Sequence, residues 1–271
     1  MRKLFLLLIV AASLLSCDNN DATVSNTAVV LPRSVTVEEN GVEVESRDYT
    51  YEGNKIVRIE GSSENVFFKN EYTYNGSFII SEKIYEKLSL TGEYHLSNER
   101  YYTYYDNGKV KTLLEARPGM GLSDKSEFVY SSESTTRIKS SINSLGEVFP
   151  YSTAILTYSG QNLTRVNESL YNYDTNSYGP GAKTREILYD NKNSMTKNIL
   201  GFNELVFNSS VYSLGNNPLD FHGNNTDTYT GDVTKFFGFH YSYDYNSNNY
   251  PVTKYSYDAN GDLVYTSHIT Y

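Results

Sequence analysis

Apolar and polar positions alternate with a period of two through most of this chain. The clearest unit is Tyr255-Ser256-Tyr257-Asp258-Ala259-Asn260-Gly261-Asp262-Leu263-Val264-Tyr265. Tyr255 and Tyr257 lie two apart, so a strand places them on one face and Ser256 on the other. Asp258 opens a turn, because its carboxylate can accept a hydrogen bond from a backbone amide two residues on. Asn260-Gly261 supplies the positive-φ positions of a tight hairpin, and Leu263 and Tyr265 resume the alternation. Copies recur at Tyr49-Thr50-Tyr51, Tyr72-Thr73-Tyr74, Tyr102-Thr103-Tyr104, Leu156-Thr157-Tyr158, Ile187-Leu188-Tyr189 and Tyr241-Ser242-Tyr243, each followed by turn residues. Ile269-Thr270-Tyr271 has the form of one more first strand. In the first half the copies stand about 23 to 31 residues apart, room for two strands and two turns.

A first hairpin is predicted over residues 34–44. Residues 81–90 read as a strand with Ile84, Leu88 and Leu90 on one face and Lys83, Tyr85 and Lys87 on the other, the pattern of an antiparallel sheet with one wet face. Longer connections are expected at 117–125, 172–183 and 215–232, the last rich in Asn and Gly. The fold class is therefore all-β: an antiparallel, Tyr-rich meander of repeated hairpins. At about 14 to 18 short strands it must curl or close, giving a curled sheet or a soluble barrel. Residues 193–207 break the alternation, with Met195, Ile199 and Phe202 at helical spacing. A barrel of many strands is too wide for strand side chains to fill. Ile199, Leu200 and Phe202 are accordingly expected on the concave side as a structural plug, with Gly201 allowing the bend.

Composition changes the picture in three ways. The chain has 271 residues, and a hydrophobic content of 39% is low, but 27 Tyr partly replace aliphatic core. A net charge of −9 disfavours nucleic acid as a partner. The single cysteine rules out a disulfide within the chain.

The N-terminus carries its own signal. Met1-Arg2-Lys3 is basic, residues 4–15 are apolar but too short to span a membrane comfortably, and Leu14-Leu15-Ser16-Cys17 follows. This resembles the lipobox of bacterial lipoprotein signal peptides. The resemblance implies a signal peptide over 1–16 and lipid attachment at Cys17. Residues 17–30 then form a lipidated, flexible tether and 31–271 a single β-meander or barrel domain. Asp18 to Asp21 resembles an acidic sorting signal, which leaves open whether the protein faces the periplasm or the cell surface.

Lipobox, Tyr-x-Tyr hairpins and Lys197-Asn198-Ile199-Leu200-Gly201-Phe202-Asn203 together resemble a family of uncharacterised bacterial lipoproteins, whose domain of unknown function is described as porin-like. The Tyr-Asp-x-Asn-Gly turns also resemble, more weakly, the Tyr-Asp repeats of Rhs-type shell proteins, though Gly261-Asp262-Leu263 replaces their Gly-Arg-Leu. Neither resemblance supplies catalytic residues.

Chemistry-bearing patterns are sparse. His95, His222, His240 and His268 lack the short spacing of a zinc site. Asp220, His222, Asp227 and Asp232 share one expected loop, which reads first as solvated. Asp258-x-Asn260-x-Asp262 starts like a calcium loop but lacks the closing Glu. There is no Gly-x-Ser-x-Gly elbow and no phosphate-binding loop. No cofactor, metal or catalytic residue is assigned. The expected function is a lipid-anchored, non-catalytic binding or scaffold protein of the outer membrane, with a glycan, peptide or envelope protein as partner. The alternatives are a secreted-type glycoside hydrolase, which needs only two carboxyls across a cleft, and a transmembrane β-barrel, which needs an unbroken apolar outer band.

Overall fold

The computed structural model describes residues 29–179, 183–205, 215–226 and 233–271. Cys17 lies outside them. The first run of strands is β1 Ser34–Glu39, β2 Val42–Glu52, β3 Lys55–Ser63, β4 Val66–Asn75, β5 Phe78–Lys87 and β6 His95–Tyr104. β7 Val110–Arg117, β8 Leu122–Tyr130, β9 Ser134–Ile142, β10 Val148–Ser159 and β11 Asn162–Asn172 follow. The chain continues through β12 Ser177–Tyr178, β13 Lys183–Tyr189, β14 Pro218–Thr226, β15 Val233–Tyr245, β16 Pro251–Tyr257 and β17 Leu263–Thr270.

Each strand pairs antiparallel with its neighbour in sequence, and β17 pairs with β1, so the sheet closes on itself. β12 is a two-residue appendage to β11, which pairs directly with β13; the closed barrel thus has 16 strands. The terminal Ile269-Thr270-Tyr271 copy finds its partner in the first hairpin, through Ile269↔Val35 and Thr270↔Ser34. Closure removes both sheet edges, which in an open sheet would be templates for aggregation.

Alternation decides what faces the lumen. Pairings such as Tyr102↔Leu113 and Leu113↔Ser126 carry one inward row from strand to strand. The outward rows carry ion pairs, Arg58–Glu60 (3.4 Å), Lys69–Glu71 (2.8 Å), Lys83–Glu99 (3.4 Å), Lys125–Glu127 (3.0 Å) and Arg165–Glu186 (3.7 Å), beside exposed apolar residues such as Val129, Ile138, Ile155 and Leu188. The turns after β2, β4, β6, β8, β10 and β15, together with Arg33 and Tyr271, form one end of the barrel, the near end. The turns after β1, β3, β5, β7, β9 and β16 form the far end.

Two expectations are corrected. Leu88 and Leu90 lie beyond the end of β5 and are exposed, so only Ile84 of that trio shares the inward face. Residues 215–232 are not one loop, because 218–226 form β14. Its glycine is a packing requirement: a Cβ on Gly223 would lie 1.9 Å from the carbonyl oxygen of Thr184 on β13. Glycine in a strand marks such close approach of two backbones, not only a turn.

Candidate functional site at the near end of the barrel

The Tyr-x-Tyr copies end at the near end, and the second Tyr of most copies points inward. There the Tyr hydroxyl crosses to the preceding hairpin and donates to a backbone carbonyl: Tyr104 to Ile79 (2.6 Å), Tyr130 to Val110 (2.9 Å), Tyr189 to Leu163 (2.8 Å), Tyr243 to Pro218 (2.8 Å) and Tyr271 to Pro251 (2.9 Å). Tyr51 does the same to Pro32 (2.9 Å). Each acceptor from Ile79 onward is the residue where the strand pairing shifts register, as at Tyr74↔Ile79 and Tyr104↔Val110. A bulge leaves one backbone group unpaired, and the next tyrosine along satisfies it. Burial pushes the Tyr74 and Tyr130 phenols up to about 12, and those of Tyr51, Tyr104, Tyr189, Tyr243 and Tyr271 higher still.

Inside this ring sits the connection before β14. Ile199, Phe202 and Leu205 are buried against Ile56, Tyr72, Ile79, Tyr102, Val110, Leu113 and Phe128 of the wall. Leu200 is half-buried, and its backbone joins the wall on both sides: its N–H donates to Asn54 O (2.9 Å) and its carbonyl accepts from Tyr74 Oη (3.0 Å). Asn198 ties the segment to the barrel rim through Val30 O (2.9 Å) and Tyr250 Oη (2.7 Å). Gly201 has φ +82°, and a Cβ there would stand 2.9 Å from Ser77 O, so glycine is required at the bend. The helical spacing of Met195, Ile199 and Phe202 yields only a 3-10 turn, Phe202–Glu204.

Further along the lumen the inward residues are charged. Glu82 is almost wholly buried and accepts from Asn70 Nδ2 (3.0 Å), Tyr72 Oη (2.9 Å) and Arg100 Nη1 (2.9 Å). Arg100 Nε also donates to Glu115 (2.9 Å). Arg137 and Ser152 both donate to Glu168 (2.7 Å each), and Lys139 pairs with Asp124 (3.1 Å). Lys254 faces inward from β16 with its ammonium 4.0 Å from the centroid of the Tyr241 ring; burial, then the nearby Arg47, push its pKa down to about 8. None of these inward charges was singled out from the sequence. The signal was present in β6, where Asn98 and Arg100 alternate with Glu99 and Tyr101, so that neither face is apolar.

A cleft of about 720 Å³ opens at the near end, between the segment at Asn203-Glu204 and the turns after β4, β6, β8 and β10. Phe78, Tyr130 and Tyr158 line it, with Ser132, Asn107 and Gln161, and Glu133 and Glu204 border it. The four residues Asp220, His222, Asp227 and Asp232 do not share one solvated loop. Asp220 and His222 lie on β14, where His222 contacts Asp220 (3.3 Å) and Glu186 (3.4 Å) on the outer face. Asp227 and Asp232 fall outside the described residues, and among the described residues no His, Cys, Asp and Glu group is arranged to hold a metal. The Asp258 turn is a hairpin cap, its carboxylate accepting from the Asn260 (2.9 Å) and Asp262 (3.0 Å) amides.

Neither a family model nor a curated protein matches the chain. Solved structures do. A porin-like protein from Bacteroides vulgatus is 11% identical, with a TM-score of 0.49 over 89% of this chain and 98% of that one. A porin-like protein from Bacteroides uniformis is 12% identical, with a TM-score of 0.48 over 88% of this chain and 97% of that one.

Proposed function

We propose that this chain is a lipid-anchored protein of the bacterial envelope, whose barrel stands in water as a non-catalytic binding or scaffold module. The observation that carries this reading is the charged outer wall, with its rows of Lys–Glu and Arg–Glu pairs. A membrane barrel needs an apolar outer band about 25 Å tall, and each Lys or Arg at its midplane costs about 2–4 kcal/mol. The leader over 1–16, the lipid on Cys17 and the tether over 17–30 are read from the lipobox, which supports an outer-membrane lipoprotein facing the periplasm or the surface. Ile199, Leu200 and Phe202 act as a plug, so solutes do not pass, and a glycan, peptide or envelope protein is met at the rim. Membrane contact is made through the lipid alone. Expression of Cys17→Ala in a bacterial host tests the anchor: the variant should leave the membrane pellet, whereas retention equal to wild type would contradict lipid anchoring.

A second reading has one observation in its favour. Glu133 and Glu204 border the same cleft, as the two carboxyls of a glycosidase would. Release of reducing ends from an oligosaccharide, abolished by Glu204→Gln, would establish hydrolysis; its absence leaves the binding module.

A further inference from the structure

We infer that the near-end cleft is a binding site for a neutral oligosaccharide, an inference that rests on the reading of the barrel as a closed binding module. It starts from a break in the tyrosine ring. Tyr104, Tyr130, Tyr189, Tyr243 and Tyr271 each find a carbonyl at a register shift. The β8–β9 hairpin pairs straight through to Tyr130↔Thr135 without such a shift. The next tyrosine in line, Tyr158, consequently meets no presented carbonyl, and its hydroxyl is buried with no partner among the described residues. The side-chain oxygen of Asn203, on the inner segment, is in the same state. Both residues line the cleft.

Leaving a buried polar atom without a partner is destabilising, so two on residues of one cleft mark a place where a ligand group completes the structure. The pair has a definite chemistry. Asn203 Oδ1 is an acceptor, and the Tyr158 hydroxyl both donates and accepts. An alcohol hydroxyl, which also donates and accepts, satisfies them; an ammonium offers only donors and a carboxylate only acceptors. The rest of the lining fits the same class. Gln161 and Asn107 contribute amides and Ser132 a hydroxyl, while Phe78 and Tyr130 supply ring surface for the apolar faces of sugars. Anionic sugars are disfavoured, because Glu133 and Glu204 repel them and Lys109 is already engaged over the Tyr130 ring (4.7 Å). The volume, about 720 Å³, lies within the range of small-ligand sites, about 300–1,000 Å³.

The test is calorimetric titration of the purified full chain with cellotetraose, maltotetraose, mannotetraose and xylotetraose, alongside tetragalacturonate and a lysine-rich peptide. At least one neutral sugar should bind in preference to the acidic sugar and the peptide. Tyr158→Phe should weaken that binding by about tenfold or more and leave the melting temperature unchanged or raised, since the hydroxyl satisfies nothing inside the barrel. Asn203→Leu should weaken it likewise. The inference is overturned if no neutral sugar binds, if the acidic sugar or the peptide binds better, if Tyr158→Phe binds as wild type, or if Tyr158→Phe melts lower. A chain whose barrel wall lies in water but binds none of these sugars loses this inference alone; a wall lying in lipid removes the module reading beneath it.

Discussion

The two halves of the lumen occupy the same strands but are filled by different means. At the near end Ile56, Tyr72, Ile79, Leu113 and Phe128 meet Ile199, Phe202 and Leu205, chain brought in from outside the wall. Further along β5 to β9 the wall fills its own space with Glu82, Arg100, Glu115, Asp124 and Lys139, long side chains joined by ion pairs. The near half gains from apolar burial, which is non-directional, and its register shifts are each tied down by one tyrosine hydroxyl. The far half depends on geometry: an unpaired buried charge is costly, whereas a fully hydrogen-bonded one specifies a single arrangement. The difference separates the tasks of holding the barrel shut and fixing its shape.

The largest expected effect that tests this contrast is alkaline. Tyrosines whose phenols are raised by burial stabilise the fold fully below their ordinary value near 10, and that stability is lost as pH rises toward the folded values, about 12 for Tyr74 and Tyr130. Lys254 has the opposite sign: its folded pKa is lowered to about 8 from 10.5, so the unfolded chain holds the extra proton and stability rises between those values. Denaturant midpoints should therefore climb slightly above pH 8 and collapse above pH 10, with the share of tyrosinate absorbance that belongs to the buried ring appearing only on unfolding. The whole of the tyrosinate absorbance appearing in the folded protein near pH 10 would mean the ring is wet.

Side-chain removal comes next. Arg100→Met leaves Glu82 buried without its cation and should cost about 3–5 kcal/mol. Phe202→Ala should cost about 3 kcal/mol or more through the cavity it leaves. Urea unfolding measures both. A loss below about 0.5 kcal/mol for Phe202→Ala, typical of surface positions, would show that the near half is not filled by this segment. The smallest effect is Tyr104→Phe, which leaves the Ile79 carbonyl unpaired and should cost about 1 kcal/mol.

The hairpins were legible because Tyr-x-Tyr alternation and Asn-Gly or Asp-Gly turns are local signals, and an all-β sheet that must curl or close followed from their number; closure itself came only with the pairing of β1 and β17. β14 was not, since Gly223 reads as loop until the backbone of β13 is known to lie against it. The inward charges escaped for a related reason. Glu82 and Lys83 are adjacent in sequence, and only cross-strand pairing, Glu82↔Arg100, tells the lumen-facing one from the outward one. The lone hydroxyl of Tyr158 depends on the β8–β9 hairpin lacking one inserted residue, a register difference that residue types do not announce.

The central claim is that the barrel wall faces water. Ile155 tests it most directly, being an apolar outward residue in the middle of β10 and 50% exposed, where a membrane barrel would face lipid. A nitroxide on Ile155→Cys, in the full chain bound to vesicles and compared with the unlabelled-site parent chain, reports its surroundings. The account predicts ready collision with a water-soluble paramagnetic reagent and little with lipid-dissolved oxygen; the reverse would contradict it.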